Sequence, residues 1–442
     1  MTIKGIKYLK FFLTIIFLSI ITSASYAATD CKCGFVEYNS YNYPIDDPIK
    51  ATLIGTPEAF KADLRIEVPM EPGISQIFPE REIPELFWYI KGLPFAVSSQ
   101  NKPAPIMYVL AGTGSGHLST KMITLRNIYY SAGYHVVLLP STTYPSFIAA
   151  ASKDGVPGRI ATDIDDLVRV IQTVNKQVSK ELEITGMSIS GYSLGAMHAL
   201  FITERVERTG ELTIDKTIAI NPPVSLFESI NVLDGMLANS IPGGMNNIHT
   251  FYEDIFGRVA NFYAVNEKLD FSDDFLYRLQ QDQNFDEKFM SGLISLSFRM
   301  SLANMLFTSD VVTDSGFIKP KGYKLSPAQP LTQYFQATAR FSYEEYLEDY
   351  LLPFYQKGDN EITREFLAFE SDLRSIELFL RESPTTYLVT NTDDIALRPT
   401  DPKYLASVFG DRAILFPKGG HLGNLEEKTV VSHLISIAKG EK

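Results

Sequence analysis

The stretch Leu182 to Ala199, LEITGMSISGYSLGAMHA, is the one whose reading decides the fold. Ile184, Met187 and Ile189 give an apolar approach, Gly191-Tyr192-Ser193-Leu194-Gly195 a sharp turn, and Ala196 onward a helix that opens on small residues. A serine held between strand and helix in a strained backbone conformation needs flanking residues without a Cβ, which Gly191 and Gly195 supply. The amides at the start of the following helix point back at the serine and carry the positive end of its dipole, a setting suited to an oxyanion.

Outward from this turn, strand and helix patterns alternate. Pro105 to Leu110 is a continuous apolar run of strand length, followed by the glycine-rich loop Ala111-Gly112-Thr113-Gly114-Ser115-Gly116-His117. A dinucleotide-binding turn needs a third glycine where His117 stands, and a P-loop needs a closing Gly-Lys-Ser/Thr, so nucleotide binding is not expected. Met122, Leu125, Ile128 and Tyr129 fall at helical spacing, a second strand is expected at His135 to Leu139, and Pro140 to Pro157 reads as a loop with Thr142, Thr143 and Tyr144 as candidate ligand-site wall. The apolar positions from Ile160 to Val174 predict an amphipathic helix, with Asp163, Asp165 and Asp166 as a solvated face. Beyond the serine turn, Thr217 to Ile220 predicts a strand ending at Asn221-Pro222-Pro223. Before all of this, Asp30 to about Gln100 reads as a Pro-rich extended arm marked by Tyr38, Tyr41, Tyr43, Pro44 and Pro48, with strands around Leu64 to Val68 and Leu86 to Ile90.

Between Ser225 and Ser383 the alternation stops. Helical patterns rich in aromatics take over at Phe251 to Val265, Phe271 to Leu279, Phe289 to Leu306, Tyr343 to Tyr355 and Thr363 to Leu380, as expected of an inserted helical cap. The alternation resumes with a strand at Thr385 to Thr390, the turn Asn391 to Leu397, a helix near Pro402 to Val408, a strand at Ala413 to Phe416, the loop Pro417-Lys418-Gly419-Gly420-His421-Leu422-Gly423 and a final amphipathic helix.

These motifs, a Gly-x-Ser-x-Gly turn followed in order by an acidic loop and a histidine loop, each after an expected strand, resemble those of the α/β-hydrolase family. The resemblance covers roughly residues 105–221 and 385–439. It implies a mostly parallel sheet with helices on both faces, plus the large inserted cap, and a hydrolase core running over 28–224 and 384–442 with the cap at 225–383. It also implies Ser193 as nucleophile and His421 as base, His433 lying instead within the last helix. The acid follows the strand before Asn391; the family's loop spacing favours Asp394 over Asp393, which would then be a solvated turn residue. The oxyanion donors implied are the amides of Leu194 and Thr113, with Gly114 as substitute because Ala111 stands where the family's commonest loop has histidine. Neither cofactor nor metal is implied. The expected reaction is cleavage of an ester or related acyl bond through an acyl-enzyme, on a small-molecule or lipid ester. The aromatic cap hints at an apolar acyl group, although the same aromatics would serve equally as the cap's own core. The alternative is a catalytically silent scaffold that binds lipid or an envelope protein.

Composition bounds the rest. With 442 residues, 45% hydrophobic, and a net charge of −12, the chain is globular and lacks the basic stripe that nucleic acid requires. Lys4, Lys7 and Lys10 precede the apolar run Phe11 to Ile21, and Ser25-Tyr26-Ala27 follows as a small-x-small cleavage site, which predicts a signal peptide over 1–27 and a periplasmic or secreted protein. An uncleaved anchor or a lipid on Cys31 is the lesser alternative and would bring peripheral membrane association. Cys31 and Cys33 are the only cysteines, and residues two apart do not readily close an unstrained disulfide on each other.

Overall fold

The structure, a computed structural model, describes residues 34–36, 40–64, 67–255, 257 and 286–441. The expected signal peptide, Cys31, Cys33 and the helical pattern at 271–279 lie outside the described residues. Nine strands form one sheet: β1 (Gly34–Phe35), β2 (Glu71–Ser75), β3 (Leu93–Ser98), β4 (Ala104–Leu110), β5 (His135–Leu139), β6 (Ile184–Tyr192), β7 (Lys216–Ile220), β8 (Thr386–Asn391) and β9 (Ala413–Phe416). Their spatial order is β1-β9-β8-β7-β6-β4-β5-β3-β2. β3 runs antiparallel to β2 and β5, and every other pairing is parallel.

Two apolar cores flank this sheet, and β4 shows why its sequence is continuously hydrophobic. Ile106, Tyr108 and Leu110 point into one core, Met107 and Val109 into the other, so the period of two is present but neither face meets water. On the first face lie α4 (Ile160–Val178) and α5 (Leu194–Thr209); on the second lie α2 (Thr120–Ser131) and the C-terminal helix Lys428–Lys439. Met122, Leu125, Ile128 and Tyr129 are all buried against that second face, which is what their helical spacing required.

The N-terminal part departs from the sequence reading. Residues 67–68 are not in a strand, and Glu85–Phe87 forms a 3-10 turn; the strands lie further on, at β2 and β3. The supposed extended arm is folded. Pro48–Ile54 forms helix α1, with Asp47 as its cap, accepting from the Lys50 amide at 2.6 Å, and with Pro48 in the first turn, where its missing N–H costs nothing. Tyr41 and Tyr43 are 4% and 1% exposed and belong to the second core rather than to a surface arm.

The described residues between β7 and β8 add helices and no strand to the sheet: α6 (Leu226–Ser240), a helical stretch at 248–255, α7 (Glu287–Thr313), Thr332–Thr338, 343–356, Arg364–Glu370 and Glu377–Glu382. The two ends of this segment are fastened together where it leaves and rejoins the sheet. Leu226 N donates to the Ser371 carbonyl at 3.2 Å and Leu373 N to the Val224 carbonyl at 2.8 Å. α7 packs against α6, α1 and the short helix α3 (Pro145–Ala150), which brings it over the carboxyl ends of the strands.

Candidate active site

The turn after β6 has the strain that its sequence anticipates. Ser193 has φ 53° and ψ −125°, and it stands directly before α5. A Cβ on Gly191 would collide with the backbone of Gly195, and one on Gly195 would lie 2.6 Å from the Ala111 carbonyl oxygen, so both glycines are steric requirements of the turn. Two more non-glycine residues with positive φ sit beside it: Asn221 at 47°, at the end of β7, and Leu422 at 67°. Three of the four such residues among the described ones therefore meet at one place, as expected where a fold holds side chains against local preference.

This place brings together residues far apart in the chain. The Ser193 hydroxyl donates to His421 Nε2 across 3.0 Å, and His421 Nδ1 lies 2.9 and 3.0 Å from the two oxygens of Asp394. A carboxylate only accepts, so Nδ1 carries the ring proton and Nε2 is left to accept. Asp394 also accepts from Asn221 Nδ2 at 2.6 Å and from the Ala396 amide at 2.9 Å, and its side chain is fully enclosed. Asn221 is a site residue that sequence reasoning misses; its only signal there is the Asn-Pro-Pro that closes β7.

Asp393 is placed differently from the solvated turn residue expected. Its two oxygens accept from the amides of Gly419 (3.1 Å) and Gly420 (2.9 Å), so it clamps the loop that carries His421. Burial pushes its carboxyl up to about 6, against the pull of those two amides and with a further push from the neighbouring Asp394. A pair of buried asparagines completes the loop: Asn391 donates to the Gly420 carbonyl at 2.7 Å, and Asn424 donates to Asn391 Oδ1 at 2.7 Å and to the Tyr41 hydroxyl at 2.8 Å. α1 adds Thr52, whose hydroxyl accepts from the His421 amide at 2.8 Å. A Cβ on Gly420 or Gly423 would run into the α1 backbone, so these glycines allow helix and loop to touch. His433 lies in the last helix, its ring 5.8 Å from that of Phe416.

The amide of Leu194 belongs to the first residue of α5, where no carbonyl of the helix itself can receive it. In the loop after β4, the Gly114 amide donates to Thr143 Oγ1 at 2.8 Å. Gly114 is thereby committed, and Thr113, the other residue expected from this loop, borders the cavity over Ser193. Of the expected wall residues Thr142, Thr143 and Tyr144, Thr143 lines the cavity over Ser193, whereas Thr142 Oγ1 donates to Asp163 at 3.3 Å.

The acidic cluster on α4 is a second correction. Asp163 and Asp166 are 3% and 2% exposed, because residues 142–158 fold over them. Asp163 accepts from the Gly158 amide at 3.0 Å and Asp166 from the Lys153 amide at 2.8 Å; Asp165 alone reaches outward, to Arg205.

Two chambers open on Ser193, Thr113 and His421. One, about 90 Å³, is walled by apolar side chains from between β7 and β8, among them Leu226, Phe227, Ile230, Met305, Leu347 and Leu351. The other, about 500 Å³, lies between α1, the start of α2, α7 and the residues after His421, and is rich in hydroxyl groups. Phe298 of α7 borders both.

A parallel sheet with this strand order, a strained serine between its central strand β6 and a helix, and acid and histidine on the loops after β8 and β9 define the architecture. This is the α/β-hydrolase fold. Among the described residues no group of three or more His, Cys, Asp or Glu side chains could hold a metal ion, and no helix is long and apolar enough to cross a membrane. No protein-family model and no curated protein matches the sequence. Solved structures similar to it include the thioesterase domain from the curacin biosynthetic pathway (15% identity, TM-score 0.37, covering 84% of this chain and 99% of that one). Two fungal esterases from Rhizomucor miehei are represented by a structure with 14% identity and TM-score 0.41, covering 90% and 99%. Est1E from Butyrivibrio proteoclasticus has 9% identity and TM-score 0.36, covering 80% and 97%. At such values the α/β-hydrolase fold of this chain rests on its own strand order and turn geometry.

Proposed function

We propose that the protein is an exported serine hydrolase that cleaves an ester or related acyl bond through an acyl-enzyme. The observation that carries this reading is the continuous chain from Ser193 Oγ through the His421 imidazole to Asp394, with the serine on a strained turn. Ser193 Oγ attacks the acyl carbon while His421 Nε2 takes its proton, and Asp394 holds the tautomer and stabilises the imidazolium. The amides of Leu194 and Thr113 receive the oxyanion. Collapse breaks the bond to the leaving oxygen, which takes the proton from His421; water then attacks the acyl-serine by the same route. The segment 225–383 acts as a cap whose apolar chamber receives the acyl group of a small-molecule or lipid ester.

Labelling of the purified mature protein by a fluorophosphonate tests the chemistry. Stable labelling that disappears in Ser193→Ala is expected; an unlabelled, folded wild-type protein would reduce the chain to a binding scaffold. Export rests on the Lys-rich start, the apolar run and the Ser25-Tyr26-Ala27 site. N-terminal sequencing of the protein from the cell envelope should begin near Ala28, and an intact Met1 on a soluble cytoplasmic protein would overturn export.

A further inference from the structure

The acyl chemistry leaves the larger of the two chambers without an assigned occupant, and its wall is chemically selective. Thr56 donates its hydroxyl proton to the Gly423 carbonyl at 2.8 Å, and Ser297 to that of Ile294 at 2.7 Å. Ser301 donates to the Ser297 carbonyl at 3.0 Å, and Thr124 to the Glu426 carboxylate at 3.3 Å. A hydroxyl has a single proton and two lone pairs. Each of these side chains has committed its proton to the protein, so what remains to face a ligand is lone pairs. Glu426, held by Lys61 Nζ at 3.1 Å, adds carboxylate oxygens to the same wall. Lys121, Ser115 and Thr120 add donors to the same wall. A surface that offers both is answered by a ligand whose own groups donate and accept, as hydroxyls do; an alkyl group there would strip water from these polar groups and replace none of its hydrogen bonds.

We propose that this chamber takes the leaving alcohol of the substrate and that this alcohol is hydroxyl-rich, a sugar or similar polyol, while the acyl group enters the apolar chamber. The inference rests on the serine-hydrolase reading of Ser193. Its geometry agrees with that chemistry, because Thr113 and His421 border both chambers. An ester carbonyl over Ser193 then directs its acyl carbon chain to one side and its alcohol oxygen to the other. When the Ser193 Oγ–carbon bond has formed and the carbon–oxygen bond to the alcohol breaks, the proton taken from Ser193 passes from His421 Nε2 to the departing oxygen. A volume of about 500 Å³ is in the range of small-molecule sites and admits a sugar-sized group with some water.

The test holds the acyl group constant and changes the alcohol. The ratio of kcat/KM for a glucose monobutanoate ester over ethyl butanoate should be about tenfold or more, the scale of two net hydrogen bonds made in the transition state. Ser297→Leu, which puts hydrocarbon in place of one of the wall's hydroxyls and narrows the chamber, should lower the ratio toward one; Glu426→Gln should lower it severalfold. Thermal unfolding of both variants, within a few degrees of wild type, shows that the change is not a loss of fold, and Glu426→Gln alone decides the matter if Ser297→Leu does not fold. A wild-type protein that labels at Ser193 and hydrolyses both esters with equal kcat/KM overturns the polyol chamber and leaves the hydrolase reading standing. A protein that neither labels nor hydrolyses overturns both.

Discussion

The two sides of Ser193 are built on different principles. On the sheet side, polar groups are fixed by backbone strain and by hydrogen bonds: Ser193, Asn221 and Leu422 with positive φ, Asp394 shared among His421, Asn221 and the Ala396 amide, and the histidine loop clamped by Asp393 and Thr52. On the side of the apolar chamber, which the segment between β7 and β8 lines, the wall is mostly carbon, and among the described residues α6 and α7 make no hydrogen bond to Ser193, His421 or Asp394. The difference separates two tasks. Charge that develops during acyl transfer is met by dipoles already in position, which has to come from rigid strand ends; what enters the site is sorted by a surface that can change without disturbing them.

The largest effects should therefore come from the sheet side. Asp394→Asn leaves the packing but holds the wrong imidazole tautomer, and kcat should fall by a factor on the order of 10⁴. Asp393→Asn, one residue away, should change kcat far less, since Asp393 reaches only backbone amides. A ranking in the opposite order, measured on a p-nitrophenyl ester, would transfer the acid role to Asp393. Asn221→Gly is the next step down. Glycine tolerates the φ of 47° and removes only the hydrogen bond to Asp394, a bond to a charged group worth about 1.5–3 kcal/mol. A loss of roughly tenfold to a hundredfold in kcat with little change in KM is expected, and an unchanged kcat would show that Asp394 does not need this partner.

The sheet side is also the more legible in the sequence, for physical reasons. β5 and β9 fall on the residues expected, because strands buried on both faces carry apolar runs without alternation: after the buried His135 every residue of β5 is apolar, as is every residue of β9. The serine turn and the histidine loop announce themselves through glycines that the backbone requires. What stays hidden depends on contacts between distant segments. α1 is seven residues long, and its role against His421 depends on Thr52 meeting Gly420 across the sequence. Asp163 and Asp166 occupy the polar positions of an amphipathic helix, and nothing local tells that residues 142–158 will cover them. Asp393 and Asp394 follow the same strand, and only the fold shows that one reaches the imidazole and the other the glycine amides. Neither chamber can be read in advance, since each is lined by several separate segments.

The carbon-walled side should respond in smaller steps. If its chamber holds the acyl chain, each added methylene contributes about 0.8 kcal/mol, close to fourfold in kcat/KM, until the space is full. With a cavity of about 90 Å³ the rise should stop early in a series of p-nitrophenyl esters. Met305→Trp should move the break to a shorter chain without lowering kcat on the acetate ester. A flat profile, or a fall that starts at the shortest ester, would remove the acyl chain from this chamber.

The smallest effect returns to the sheet side and concerns stability rather than rate. Asp393 is raised to about 6 by burial, above the ordinary aspartate value of 3.8, so the folded protein holds this proton more tightly than the unfolded chain does. The sign follows from linkage: where the native state binds more protons, stability falls as pH rises. The contribution of protonated Asp393 is thus fully present below about pH 4, is lost as pH rises through about 6, and no longer changes above about pH 7. At its steepest the loss for one proton is about 1.4 kcal/mol per pH unit, and other carboxylates titrate in the same window, so the wild-type curve alone does not isolate it. The difference curve does. Asp393→Asn carries no titrating group at this position, and any cost of losing one of the two amide acceptors is independent of pH. Urea unfolding from pH 4 to pH 8 should show the variant gaining on wild type between pH 4 and 6 and holding a constant offset from pH 7 to 8. A constant difference across the whole range would mean that Asp393 is ionised throughout and that its two glycine amides outweigh its burial.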